Sequence, residues 1–550
     1  MNKLIKKSLT NFCSLNILQK IILVIISSIF LLLFVQNFIF SSDFDILMFR
    51  SVDDFAFQNF LRTNHENIIQ FRLGKLFKLY AYGYGWLFWI IHTTITFPFY
   101  LMSLLGTDFL LISTARNISL LFMAGSCFLL FKSIKKYTND KYIPYFVLLL
   151  FVSYPYFAYS SMSFRTIAQG SFFCILTFYL IIKNNLLSKK DLKYIAISFA
   201  ACLGTKLSTA VFAPLIALFL IDRFGFKLNK ENFKKAFYFL KYFIPSSIFF
   251  INPSLFIAPF KWSLFTKYGD VMSYYFKNVQ TNYGSGGSFL TNFQDAFSTD
   301  FLYKYILAIL ILMFLVRFIY DLRSNKQNKF DFFYIFIFLS FSSLYLANHI
   351  KMGAAYITNY FFSFSFLLLL PLVTLEKVEK YTRIIVLMTL VTLNTALNFS
   401  AIKHSYLYYY ATYNSQTTQT LLESQKELQK LVGNTDQKLN LLIDYRAPVI
   451  YSNFRKNIST ITMFDNVSVV EKFSKSEFDY ILLHKDSKML LDKKDFQRIS
   501  FSANEDVKNT WVESRTIIES LINTGIFRKS RYELIYDKNK LLCFKFSQAL

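Results

Sequence analysis

Residues 86–105 read WLFWIIHTTITFPFYLMSLL, and whether this block crosses a bilayer decides how everything after it is arranged. It is apolar and long enough to cross a hydrocarbon layer of about 30 Å as a helix. If it crossed, the basic segment KSIKKYTNDK at 132–141 would lie outside, together with the later basic loops. Short loops rich in Lys and Arg are retained on the cytoplasmic side. The block is therefore read as a helix that lies in the outer interface or dips into the membrane. It carries His92 and Pro98, and Trp86 and Trp89 suit the headgroup region.

Outward from this block, the remaining apolar runs are read as spans at about 19–40, 109–131, 143–160, 166–182, 194–204, 207–222, 237–258, 302–320, 332–348, 355–373 and 382–402. The expectation is a polytopic α-helical membrane protein with about 11 spans, N-terminus inside and C-terminus outside, in a plasma membrane. The fifth and sixth spans are short and meet at Gly204-Thr205-Lys206. Such a pair often brackets a site. The basic start and first apolar run lack a small-residue cleavage site in NFIFSSDFD, so the run is read as a first span and not as a signal peptide.

The composition agrees. Of 550 residues, 54% are hydrophobic, 19% aromatic and 17% charged, where a soluble globular chain is nearer one quarter charged. A soluble enzyme, a disordered chain, a collagen and a secreted disulfide scaffold are excluded together. The net charge of +26 sits in loops such as Lys132, Lys135, Lys136 and Lys183, Lys189, Lys190, which turns it from a nucleic-acid signal into a topology signal. Cys13, Cys127, Cys174 and Cys202 lie in or beside apolar blocks, and Cys543 stands in the polar tail, with no metal-ligand spacing. NYGSGGSF at 282–289 is read as a flexible outer loop.

Two domains are expected: a membrane domain at 1–402, with an outer loop at 41–108 that carries interfacial helices, and a soluble extracytoplasmic α/β domain at 403–550. In the latter, LNLLID, FDYILLH, YELIYD and LLCFKF read as strands, and 416–432 and 510–523 have helical spacing. DKNK joins the last two strands as a hairpin. No glycine fingerprint for a nucleotide is present.

The segment SVDDFAFQNFLRTNHENIIQFRLGKLF opens the outer loop with Asp53 and Asp54. Adjacent carboxylates repel, so one pKa rises, which suits a general base. The reaction this fits is attack of an acceptor hydroxyl on the anomeric carbon of a sugar joined to a lipid phosphate; the leaving phosphate then needs cations. An Asp pair in a loop is also an ordinary helix cap or solvated turn.

The order of features resembles the C-type glycosyltransferases, polytopic enzymes that take sugar from polyprenyl phosphate carriers and include protein O-mannosyltransferases and lipid A aminoarabinose transferases. The resemblance rests on the first span, the acidic pair, the interfacial helices, the Arg-led span STARNISLL, the junction ACLGTKLST and the C-terminal α/β domain. It implies Asp53 as general base with Asp54 beside it, and Lys206 as a phosphate contact. Arg116 and Arg165, at the outer starts of two spans, are placed to neutralise the head group. His349, Lys351, Tyr356 and Tyr360 in NHIKMGAAYITNYF stand where related enzymes place residues near the lipid phosphate. Where some relatives carry a second acid after the third span, SMSFRTIAQGSFF offers Arg165 and Gln169, which counts against a two-carboxylate mechanism. His65-Glu66 adds polar contacts in the same outer loop.

His, Asp and Glu do not recur at zinc-like spacing, so no metal or cofactor is implied, though a divalent ion on Asp53 or Asp54 stays open. The partners implied are a polyprenyl-phosphate-linked sugar, an acceptor that is glycan, lipid or protein, and membrane lipids, with no nucleic acid. Two other readings use the same residues: an O-antigen polymerase or ligase, and a transporter or flippase of an anionic lipid-linked substrate. Against the transporter stand the lack of an inverted repeat and the large outer domain.

Overall fold

The computed structural model describes residues 15–39, 41, 52–77, 85–103, 108–137, 140–183, 187–213, 216–217, 220, 229–256, 380–397, 399–407, 414, 416–432, 439–444, 447, 449, 458–464, 478–484, 505–539 and 541–549. The expected spans at 302–320, 332–348 and 355–373, the loop at 282–289 and Cys13 lie outside them. The chain divides into two compact units, with residues 1–41, 59–275 and 285–408 in the first and 42–58, 276–284 and 409–550 in the second.

The first unit is helical. It contains α1 (Ile17–Ile39), the latter part of α2 (Val52–Ile69), α3 (Trp86–Ser103), α4 (Asp108–Tyr137), α5 (Ile143–Val152), α6 (Pro155–Met162), α7 (Thr166–Lys183), α8 (Lys189–Leu203), α9 (Lys230–Ile251), α10 (Lys380–Leu397) and α11 (Phe399–Tyr406). Among the described residues, three helices are long and apolar enough to cross a membrane: Ile17–Ile39, Phe109–Lys136 and Thr166–Lys183. With its charged loops, the unit is that of a multi-pass membrane protein.

Hydrogen bonds fix the helix directions. At one end of α1, Gln19 Nε2 donates to the Lys141 carbonyl at 2.6 Å. At the other, Asn37 Nδ2 donates to Asn117 Oδ1 at 3.1 Å and to the Ser161 carbonyl at 3.2 Å. So α1 runs with α5 and α6 and against α4, and Lys141 marks a basic end that Lys135, Lys136 and Lys183 share as the last turns of α4 and α7. Amides in an apolar bundle hold such registers strongly, because their alternative is an unpaired polar group away from water.

One expected span, 143–160, is broken. Pro155 forces Tyr154 into extended backbone, φ −79° and ψ 133°, so α5 ends at Val152 and α6 starts at Pro155. The Val152 carbonyl, stranded by the break, accepts from the Tyr406 hydroxyl, and the Tyr406 carbonyl accepts from Gln36 Nε2 at 2.8 Å. The expected span at 207–222 also differs: it opens as a 3-10 helix, Leu207–Phe212. The helix before it starts early, because Ser188 and Asp191 form a reciprocal capping box.

The block at 86–105 forms α3, about 27 Å long at 1.5 Å per residue. Its first residues meet the end of α8, where the Gly85 N–H donates to the Thr205 carbonyl at 3.1 Å. The Phe88 and His92 rings lie 5.6 and 4.8 Å from the Phe164 ring in the turn between α6 and α7. Ser103 is separated from Asp108, the start of α4, by four residues, a reach of at most about 18 Å. Both ends of α3 therefore lie toward the end of the unit opposite the basic loops, and it packs against α4.

The second unit is built on a six-stranded sheet. Its strands are β1 (Leu439–Asp444), β2 (Ile458–Phe464), β3 (Tyr480–His484), β4 (Ile526–Phe527), β5 (Ser530–Lys538) and β6 (Leu541–Ala549), in the order β2-β1-β3-β6-β5-β4. The first three are parallel and the last three join them antiparallel. Leu442, Ile481, Leu483, Leu542 and Phe544 on one face pack with Ile518 and Leu521 of α13 (Glu505–Thr524). The other helix, α12 (Gln416–Val432), is joined to the hairpin by Asn539 Nδ2 to Ser424 Oγ and by a 3.3 Å ion pair between Lys538 and Glu427. β5 and β6 pair through Lys538 and Leu541 across the expected DKNK turn. Gly525 ends α13 at φ 69°, where a Cβ would also overlap the Tyr532 carbonyl. Cys543, expected in a polar tail, is fully buried in β6.

Candidate functional site

The end of the helical unit opposite the basic loops carries an unusual density of buried polar groups. Lys206 follows the last turn of α8 and is 3% exposed. α8 stops at Gly204, and the backbone turns there: the Thr205 N–H donates to the Cys202 carbonyl at 3.2 Å and the Lys206 N–H to the same carbonyl at 3.4 Å. Lys206 is then the N-cap of the 3-10 helix, and its carbonyl accepts from the N–H and hydroxyl of Thr209 at 3.0 and 2.8 Å. The turn needs two glycines. A Cβ on Gly85 would overlap the Gly204 carbonyl oxygen, and one on Gly204 would overlap the Phe250 side chain of α9. Close approach of backbones is what places Lys206 here.

Thr205 links the turn to α7. Its Oγ1 donates to the Ala201 carbonyl at 3.0 Å and accepts from Gln169 Nε2 at 3.3 Å. One helical turn further, the Cys202 thiol donates to the Gly170 carbonyl at 3.5 Å. The residue that stands where an acid was sought, Gln169, is thus a neighbour of the Lys206 turn.

Arg116 is 1% exposed. Its Nε donates to the Met162 carbonyl, the last of α6, at 2.8 Å, and its Nη1 to Ser41 Oγ at 3.4 Å. Ser41 in turn donates to the Asn37 carbonyl. A cation on the final carbonyl of a helix is favoured by the helix dipole, so Arg116 has a structural task in holding α1, α4 and α6 together. Arg165, three residues beyond Met162, is half-buried with its guanidinium 5.2 Å from the Tyr159 ring centre. The structure therefore brings Arg116, Arg165, Gln169 and Lys206 to one end of the bundle.

Two buried histidines stand on α2 and α3, and one of them, His65, joins the two helices. His65 Nε2 lies 3.1 Å from both the Thr93 carbonyl and Thr96 Oγ1. A carbonyl only accepts, so Nε2 carries the proton. Burial, reinforced by Arg62, lowers His65 to about 4 against a weaker opposing effect of the Thr93 bond. His92 Nδ1 donates to the Phe88 carbonyl at 2.9 Å, and burial lowers this imidazole to about 4 as well. Neutral His92 thus presents Nε2 as a lone pair. His92 Nε2, Ser163 Oγ and Gln169 Oε1 are buried with no hydrogen-bond partner among the described residues. Sequence reading placed His92 only as part of an interfacial helix and overlooked Ser163; the one available signal was a His-Thr-Thr run inside an apolar block.

Asp53 and Asp54 occupy the first turn of α2; their side chains lie outside the described residues, as do His349, Lys351, Tyr356 and Tyr360. Among the described residues no group of three His, Cys, Asp or Glu could hold a metal ion.

A solved structure similar to this chain is the crystal structure of ArnT from Cupriavidus metallidurans bound to undecaprenyl phosphate, with 9% identity, coverage of 85% of this chain and 88% of that chain, and a TM-score of 0.44. No protein-family model and no curated protein matches the chain. At that identity and score the likeness carries no argument about chemistry, which rests on the residues above.

Proposed function

We propose that the protein is a membrane glycosyltransferase that moves a sugar from a polyprenyl phosphate donor to an acceptor hydroxyl at the outer face of the plasma membrane. The observation that supports this reading is the pair of buried cations, Arg116 and Lys206, at the end of the bundle away from the basic loops. A cation inside a membrane-spanning bundle is expensive and is kept where an anion is met. A phosphate head group at the membrane surface is such an anion, and charge builds on it as the glycosidic bond breaks.

In this reading Asp53, at the start of α2, takes the acceptor proton while Asp54 tunes it, and Lys206 with Arg116 and Arg165 holds the departing phosphate. Lys351, His349, Tyr356 and Tyr360 are assigned to the same head group. The membrane domain is assigned to 1–402 and the extracytoplasmic domain to 403–550, with the N-terminus in the cytoplasm.

The test is sugar transfer by purified protein in detergent. Asp53→Asn keeps shape and most hydrogen bonds and should lower turnover by about 100-fold or more, with donor affinity unchanged. Asp54→Asn should cost less. Full activity in both variants and in their double mutant would remove the acidic pair from the chemistry and favour anion transport.

A further inference from the structure

α8 and α9 lie side by side and run in the same direction. The Phe199 and Phe243 rings stack with centroids 5.2 Å apart, and five residues further along, Gly204 at the end of α8 meets Phe250 of α9. Their first turns therefore share the end of the unit that carries the basic loops. Along their length the two helices carry seven lysines against two acids, and both acids are engaged close to their own helix starts. Asp191 is committed to Ser188 in the capping box of α8, and Glu231 pairs with Lys235 at 3.0 Å.

Two of the lysines converge. Lys193 of α8 holds its Nζ 5.3 Å from the centre of the Tyr242 ring, and the charge of Lys241 acts on the hydroxyl of the same tyrosine. Tyr238, one turn back on α9, lies against Tyr242 with ring centroids 5.1 Å apart. Among the described residues neither ammonium has a carboxylate within ion-pair distance. Beside this cluster Phe237, Leu240 and Ile244 follow one another at helical spacing and form a stripe along α9, 67%, 45% and 52% exposed.

Cations without a carboxylate, set beside an apolar stripe in a membrane-spanning bundle, are expensive unless an anion reaches them. That anion must also tolerate hydrocarbon around it. Two ammonium groups and the O–H groups of a tyrosine pair supply charge and donors for phosphate oxygens, and the stripe supplies a surface for a chain attached to that phosphate. Basic pockets between helices on the cytoplasmic side suit anionic lipid head groups. We propose that Lys193, Lys241, Tyr238 and Tyr242 bind the phosphate of an anionic glycerophospholipid of the inner leaflet, with an acyl chain along Phe237, Leu240 and Ile244. The site rests on the cytoplasmic placement of the basic loops and stands apart from the Lys206 turn, so it does not depend on the glycosyltransferase reading.

The experiment measures lipid binding to the purified full-length protein in detergent by native mass spectrometry, with phosphatidylglycerol and phosphatidylcholine of identical chains as probes. Phosphatidylglycerol should bind about 10-fold or more tightly, as two lysines near a lipid head group allow. Lys193→Gln with Lys241→Gln should remove that preference and leave phosphatidylcholine within about twofold, whereas Lys193→Arg with Lys241→Arg should keep most of it. Lys135→Gln with Lys136→Gln, which takes the same charge from the last turn of α4, should leave the preference intact. Melting temperatures identify any variant that fails to fold. Lys241→Gln alone, at an exposed position, keeps the test usable in that case and should lower the preference about 3-fold or more. Equal binding of the two lipids, or an intact preference in the glutamine pair, overturns the site. An equal loss in the α4 pair overturns it too, because only diffuse attraction to basic loops would be left. Displacement of phosphatidylglycerol by soluble glycerol phosphate would mark a site for free phosphate, and displacement by decaprenyl phosphate a second site for a polyprenyl carrier; either result overturns the phospholipid assignment.

Discussion

The Gly85 N–H donates to the Thr205 carbonyl at 3.1 Å, one residue before Lys206, so the start of α3 and the end of α8 are a single backbone contact. Neither partner tolerates a side chain at the neighbouring glycines.

Gly85→Ala and Gly204→Ala should therefore each displace the turn. Overpacking of this kind costs about 1–3 kcal/mol, and the melting temperature in detergent should fall in both variants. Affinity for a polyprenyl phosphate should fall with it, because the lysine moves. Wild-type melting in Gly85→Ala would mean that the two backbones do not meet closely at this turn.

Lys206→Ala should weaken binding of a polyprenyl phosphate by about 2–4 kcal/mol if the contact is made in a dry site. Lys206→Arg should recover only part, since a planar guanidinium does not reproduce the compact point charge of an ammonium. An unchanged dissociation constant in Lys206→Ala would take this residue out of the site.

Acid should loosen the contact between α2 and α3. His65 is lowered from 6.5 to about 4 in the folded protein, so the unfolded chain binds the extra proton first. Stability is then full above pH 6.5, falls as pH drops from 6.5 toward 4, and levels off below, with a slope of at most about 1.4 kcal/mol per pH unit from this one group. Melting curves across pH 4–8 for the wild type and His65→Gln check this; the variant should show a shallower acid slope. Equal slopes would assign the acid sensitivity elsewhere.

A reporter fused after residue 138 should behave as cytoplasmic and one after residue 410 as extracytoplasmic, because the basic loops fix both. Residue 138 on the outside would reverse the end of the bundle to which Lys206 and Arg116 belong.

Much of the fold is legible in the chain because hydropathy and charge report on the same boundary. The basic loops and the apolar block lengths predict that α1 and α4 run in opposite directions, which the Gln19–Lys141 and Asn37–Asn117 bonds agree with. The hairpin of β5 and β6 and the helix at 416–432 follow from local turn and period signals. β2, ISTITMF, was missed because alternating Thr and Ile in a polar tail gives a weak strand signal until a parallel partner, β1, pairs with it. The candidate site divides the same way. A lysine between apolar runs is visible in sequence; the bond from Gln169 to Thr205 and the orphaned acceptors of His92 and Ser163 depend on contacts between segments far apart in the chain.

During synthesis, α3 meets the insertion machinery as a stretch whose length alone would pass for a span, directly before the long helix α4. If the block stays on the outer side, as the basic loops predict, it leaves the translocation channel without being threaded through the bilayer, and its polar run His92-Thr93-Thr94 with Pro98 lowers its partition into lipid at that moment. Making this run apolar would tip the choice, and each later helix would then enter the membrane facing the wrong way.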